Sequence, residues 1–200
     1  MAALDDLKNR IATELKRTDL TAPIADAVGT AIRLYKWRRF AFNETSGTLN
    51  TINGTREYDA AAGLPTDIIE IDVATVAISA TRSYDLESAP FEQVNRWNGA
   101  NLTTGYPTHY AWHAEKLYLY PTPNDAYTIT LRYHADVSDE TWAQRAEALI
   151  RNAAKRNLFS DLLEDDANAA RAGSSEQREF GALISEMYRK QSTGRLTAHD

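Results

Sequence analysis

Apolar residues recur every third or fourth position at both ends of the chain and every second position through its middle, so the pattern predicts helices, then strands, then helices. Leu4, Leu7, Ile11 and Leu15 make one helical stripe. Asp5 and Asp6 open it and Lys16 and Arg17 close it, the polarity that a helix dipole favours. Thr21 is placed as the N-cap of a second helix, with Pro23 in the first turn where its missing N–H costs little. The stripe there is Ile24, Val28, Ile32 and Tyr35, and Ala27 and Ala31 leave room for a close neighbour. This helix runs into an aromatic and basic cluster from Tyr35 to Phe42. Trp37, Phe40 and Phe42 are expected to plug the seam between a helical layer and a sheet, while the cations cap the helix end.

From Asn43 the vocabulary becomes that of short strands and turns. Thr45 to Ile52 and Thr55 to Tyr58 flank Asn53-Gly54, which predicts a hairpin because both turn residues accept positive φ. Ile68 to Ile78 is the longest β-branched run, with Ile69, Ile71 and Val73 on one face, Val76 and Ile78 on the other, and a phase slip expected near Thr75. Tyr84 to Leu86 adds a brief strand, and Phe91, Val94 and Trp97 are spaced for one or two helical turns. Gly105 to Tyr133 reads as a hairpin with an aromatic face. Leu117 to Tyr120 is apolar on both sides, whereas Tyr127, Ile129, Leu131 and Tyr133 alternate with Thr128, Thr130, Arg132 and His134. Pro121 and Pro123 are expected to stop the ladder and reverse the chain between them.

Helical spacing returns at Val137. Ser138, Asp139 or Thr141 can cap a helix whose broad apolar face is Ala146, Leu149, Ile150, Ala153, Ala154, Leu158 and Leu162. Glu164, Asp165 and Asp166 are expected to begin the next element, since acids favour helix N-termini. Phe180, Leu183, Ile184, Met187 and Tyr188 form the last stripe, with a break expected at Gly173-Ser174. The fold class that follows is α+β, a helical bundle formed by N- and C-terminal helices with an inserted antiparallel β-subdomain. Its expected segments are 1–42 and 137–190 for the bundle, 43–136 for the insertion and 191–200 for a flexible tail.

Composition narrows the function classes. At 200 residues, with 43% hydrophobic and 25% charged residues, the chain is long enough for a real core. It contains no cysteine, so disulfides and thiolate metal sites drop out. The first residues lack the apolar run of a signal peptide, and no stretch approaches the ~20 apolar residues of a membrane span, which leads to an expectation of no membrane and of synthesis in the cytoplasm. A formal net charge of -6 argues against broad nucleic-acid affinity, which comes mostly from Lys and Arg at phosphates.

No constellation for catalysis stands out. His109 and His113 share strand parity, and His134 lies on a strand that could neighbour theirs, but the first two stand about 13 Å apart along a strand, too far for one zinc ion. Glu70 and Asp72 imitate a glycosidase pair in spacing, with nothing nearby to raise one carboxylate's pKa. Phosphate-loop, nucleophile-elbow and zinc-protease motifs are absent from the sequence. Tyr106, Tyr110, Trp112, Tyr118 and Tyr120 offer rings for sugar stacking, although tyrosine-rich strands more often form core or protein interface.

The order of several segments resembles the head-to-tail adaptor proteins of tailed bacteriophages, including the podovirus adaptors attached beneath the portal ring. The resembling residues are Asp19-Leu20-Thr21, Ile32 to Phe42 with Asn43-Glu44, the turn at Gly54, and Leu64-Pro65 with Asp67. They continue through Gly105-Tyr106-Pro107, Tyr110-Ala111, Leu117 to Pro121, Pro123, Tyr127 to Leu131, Tyr133 and Leu149-Ile150. The resemblance implies a non-enzymatic structural protein of the virion neck, without cofactor or metal, assembled from the host cytoplasm. It further implies a dodecameric ring on the portal protein that links to tail or nozzle proteins, with DNA passing through the channel without specific binding. Candidate interface residues are Lys36, Trp37, Arg38 and Arg39, with the acidic Glu164, Asp165 and Asp166 as a complement. Tyr188, Arg189, Lys190 and Arg195 are candidates at the C-terminal end. The alternative is a carbohydrate-binding or hydrolytic tail component that uses the aromatic hairpin.

Overall fold

The computed structural model describes residues 2–100 and 103–193, with side chains given for all of these except residues 100 and 191–193. In chain order the elements begin with α1 (Ala3–Leu15), α2 (Thr21–Tyr35), β1 (Glu44–Asn50), β2 (Glu57–Tyr58) and β3 (Ile68–Ser79). Then come β4 (Arg82–Asp85), β5 (Glu87–Ser88), α3 (Phe91–Ala100), β6 (Thr104–Gly105), β7 (His109–His113) and β8 (Lys116–Tyr120). The chain continues through β9 (Thr122–Pro123), β10 (Thr128–Ala135), α4 (Asp139–Arg145), α5 (Glu147–Asp161) and α6 (Asp166–Thr193). The fold is α+β, and the chain forms two compact units, residues 1–43 with 137–200, and residues 44–136.

In the helical unit the predicted stripes meet in one core. Leu7 and Ile11 of α1, Ile24, Val28, Ala31 and Ile32 of α2, and Leu149, Ile150, Ala153 and Leu158 of α5 are all buried together. Ala31, Ala153 and Ala154 have no exposed surface, as expected where helices approach closely. Phe40, Phe42 and Trp142 form an aromatic centre, with Trp142 edge-on to Phe40 at 5.7 Å and to Phe42 at 5.0 Å. Phe40 and Phe42 therefore build the helical core, whereas Trp37 is 68% exposed and plugs nothing. Asn43, itself buried, anchors the exit from α2 by accepting the Phe40 N–H at 2.8 Å and donating to the Arg38 carbonyl at 3.0 Å.

Two helix boundaries differ in detail from expectation, while the cap at Ser138 is one of those expected. Thr21 is the first residue of α2 rather than its cap, and Leu20 precedes it without a side-chain cap. Ser138 caps α4 by accepting the Thr141 N–H, and Ala146, at φ -129, separates α4 from α5. Glu140 on α4 in turn accepts the N–H groups of Ala3 and Leu4, so one carboxylate closes the start of α1 and its pKa is lowered by those bonds.

α6 runs unbroken through Gly173 and Ser174 for 28 residues, about 42 Å at the helical rise. The expected interruption is absent because one glycine in a helix costs only about 1 kcal/mol, which packing against α5 readily offsets. A Cβ at Gly173 would meet Arg156 Cδ at 3.6 Å, an ordinary contact. Gly173→Ala is thus expected to stabilise the protein by about 0.5–1 kcal/mol, read as a small rise in melting temperature. A fall would mean that this turn of α6 is not helical.

In the β unit, one sheet has the order β1-β10-β3-β4 and a second the order β2-β8-β7-β5, while β6 and β9 pair alone. Tyr127, Ile129, Leu131 and Tyr133 are buried as the alternation predicts. His134 is buried as well, because the β10–β3 register shifts on both sides of the Tyr133–His134 pair. Against β10 the slips in β3 fall at Asp72 and Ile69, before the expected position near Thr75, and against β4 the register shifts at Ile78.

Strand partners differ more. Asn53-Gly54 does form a turn, with Gly54 at φ 77, yet β1 pairs with β10 and β2 with β8, so it joins two sheets instead of closing a hairpin. Likewise β8 and β10 lie in different sheets, and the segment from Pro121 to Pro123 carries the chain between them. The true hairpin is β7–β8, closed by Ala114 and Glu115 at φ 49 and 59. Neither is a usual residue for positive φ, which is why the reversal does not announce itself in the sequence.

Candidate interaction surface

The rings proposed for sugar stacking are not displayed on one face. Tyr110 is buried on β7, while α3 covers the opposite side of its sheet. Phe91 packs on Tyr118 at 4.8 Å and stacks on His113 at 4.3 Å, and Trp97 lies 5.1 Å from Tyr120 and 5.0 Å from His109. His109 also pairs with Glu87 at 3.2 Å, and His134 is buried in the other sheet. Among the described residues no group of three or more His, Asp or Glu side chains is placed to hold a metal ion. No described helix is long and apolar enough to cross a membrane.

Two large apolar side chains are exposed at and just past the end of α2. Leu34 is 53% and Trp37 68% exposed. Lys36 Nζ sits 5.8 Å from the Trp37 ring centroid, within cation–π range. Arg38 is exposed beyond them and Arg39 is half-buried. An exposed Trp among arginines combines the two side chains most enriched at energetic centres of protein interfaces.

Beside this cluster α2, α5 and α6 enclose a cleft of about 600 Å³ whose lining includes Leu34, Tyr35, Arg38, Arg156, Gly173 and Phe180. Glu176 also lines it, with a side chain only 3% exposed. Oε1 accepts the Tyr35 hydroxyl at 2.5 Å, and Arg156 Nη1 lies 2.9 Å from Oε2. That second contact is an ion pair without hydrogen-bond geometry, so Oε2 is compensated in charge but carries no hydrogen bond. Burial, then the bond to Glu176, pushes the Tyr35 hydroxyl well above the range of a free phenol. With Phe180 5.8 Å from the Tyr35 ring, these side chains lock the end of α2 onto α6. No reaction chemistry follows from them.

The acidic candidates occupy the turn between α5 and α6. Glu164 is exposed at φ 48, and Asp166 is the exposed first residue of α6. Asp165 serves the fold: it accepts the Asn168 N–H at 3.0 Å and its side-chain amide at 2.7 Å, and both bonds lower its pKa. Ala169 and Ala170, within a turn of Asp166, line the same cleft as Arg38. Toward the other end of α6, Tyr188 leaves the expected buried stripe and is 63% exposed, Arg189 is exposed, and Lys190 pairs with Glu186 at 2.7 Å. Arg195 and the rest of the expected flexible tail beyond Thr193 lie outside the described residues.

Glu176, Arg156 and Leu34 are the residues that sequence reasoning passes over. A signal for Glu176 exists, since the stripe through Phe180, Leu183 and Met187, carried four residues back, lands on it. A charge in the apolar phase of a helix marks a buried partner. A comparison with curated proteins finds no match. A family model described as SU10 adaptor protein, in contrast, matches residues 2–199, and the chain belongs to the SU10 adaptor protein family.

Proposed function

We propose that the protein is a head-to-tail adaptor of the podovirus kind, a structural component of the virion neck that forms a dodecameric ring on the portal and links it to tail or nozzle proteins. Membership of the SU10 adaptor family across nearly the whole chain carries this reading, and it supports the coarser statement, a bacteriophage adaptor in the virion, most directly. In this reading the helices of 1–42 and 137–190 pack around the ring and the segment 43–136 faces the tail. The C-terminal end, with Tyr188, Arg189, Lys190 and the tail residue Arg195, docks on the portal. Lys36, Trp37, Arg38 and Arg39 form a contact surface, and Glu164, Asp165 and Asp166 belong to the complementary one. A closed ring needs two different patches that match between neighbours. The net charge of -6 suits a channel through which DNA slides without being held.

Mixing the protein with its portal is expected to give one large complex of defined mass by native mass spectrometry. Trp37→Ala is expected to weaken that complex about tenfold or more while leaving the melting temperature within a degree or two, because the side chain lies outside the core. Glycan binding without portal binding would overturn the adaptor reading.

A further inference from the structure

Among the described residues, the two outer strands of the larger sheet have no further strand beside them. Immediately after β1, the Thr51 N–H donates to the Tyr127 carbonyl at 2.8 Å. The same register pairs Leu49 with Ile129, Gly47 with Leu131 and Thr45 with Tyr133. Alternation in an antiparallel ladder therefore turns the backbone groups of residues 45, 47 and 49 toward β10. Those of Ser46, Thr48 and Asn50 point away from the sheet, and their side chains are exposed. On the far edge, the Leu86 N–H donates to the Ala74 carbonyl at 2.7 Å, in register with Val76 opposite Tyr84. The backbone groups of Ser83 and Asp85 of β4 then point outward, and both residues are exposed.

Soluble proteins usually blunt such edges with lysine, proline or a bulge. β1 contains neither Lys nor Pro, and its seven pairs to β10 run without a register shift. The polarity of the strands adds a constraint. Every neighbouring pair in β1-β10-β3-β4 is antiparallel, so with four strands the two edges run in opposite directions. Copies set side by side in the same orientation, as around a ring, bring β1 of one against β4 of the next in an antiparallel sense.

We infer that β1 of one copy pairs with β4 of a second copy, so that the sheet continues from subunit to subunit. This rests on the ring proposed above and names one of its contacts. The outward groups of Ser83 and Asp85 meet two successive outward residues among Glu44, Ser46, Thr48 and Asn50. Because β4 has four residues and β1 seven, the join is short, and main-chain pairing in it sets the orientation of neighbours.

The chain has no cysteine, which makes cross-linking clean. Ser83→Cys is combined in turn with Ser46→Cys, Thr48→Cys and Asn50→Cys, each double variant is assembled on portal, oxidised and run on a denaturing gel. At least one combination is expected to give a covalent ladder from dimer to the full ring, while the single variants stop at dimer. Intact rings by native mass spectrometry with no ladder from any of the three would overturn the strand pairing and leave the ring standing. Absence of a ring with the unmodified protein would overturn both. Thr48→Pro, which removes an outward N–H from an edge where proline is tolerated, is expected to keep the melting temperature and reduce ring yield at least tenfold. Unchanged yield would count against the pairing.

Discussion

Trp142→Ala is expected to destabilise the protein by about 3–5 kcal/mol, the usual loss for a large aromatic removed from a core. Trp142 is 1% exposed and meets both Phe40 and Phe42 edge-on. Its removal leaves these two rings, stacked 5.5 Å apart, facing a void. α4 also carries Glu140, which closes the start of α1, so loosening α4 frees a second helix end. For a chain of this length the melting temperature of the helical unit should fall by roughly 10 °C. A fall of under about 3 °C would show that the aromatic triad is not the centre of that core. The comparison with Trp37→Ala is informative because the residue type is the same and only exposure differs.

Arg156→Ala is expected to cost about 2–3 kcal/mol although the arginine side chain is 37% exposed. Most of the loss lies with Glu176, whose carboxylate stays buried with only the Tyr35 hydroxyl as a partner. The arginine's own access to water places the value below the range for a fully buried pair. Arg156→Met combined with Glu176→Leu should recover most of the stability, since replacing both members removes the buried charge. Thermal melts of the two single variants and the double test this directly. If the double variant melts no higher than Arg156→Ala, the side chains serve packing alone. In the adaptor reading proposed above, the lock would hold the contact residues Trp37 and Arg38 in place at the end of α2.

The contrast between Trp37 and Trp142 shows how far the sequence reaches. Period alone separates neither from a core position. Trp142 faces Phe40 and Phe42 only because α4 folds back over the segment leaving α2. The interface candidates were legible as charge and aromatic clusters. Glu176 was legible only to a reader who carried the α6 stripe four residues back from Phe180, and the exposure of Tyr188 was not legible at all. A stripe says which positions share a helix face, but not how far along the helix its neighbour extends.

What the sequence by itself determined is therefore local. The stripes of α1, α2, α5 and α6, the alternation of β10, the turn at Asn53-Gly54 and the acidic start of α6 all follow from spacings within one element. The tertiary structure alone decided which strands became neighbours, that β8 and β10 belong to different sheets, and that a glutamate lies under the end of α2. Side-chain period records how a segment meets a core. The identity of its partner is set by long-range backbone hydrogen bonds, which any residue except proline can donate and accept, so pairing leaves little trace in residue type.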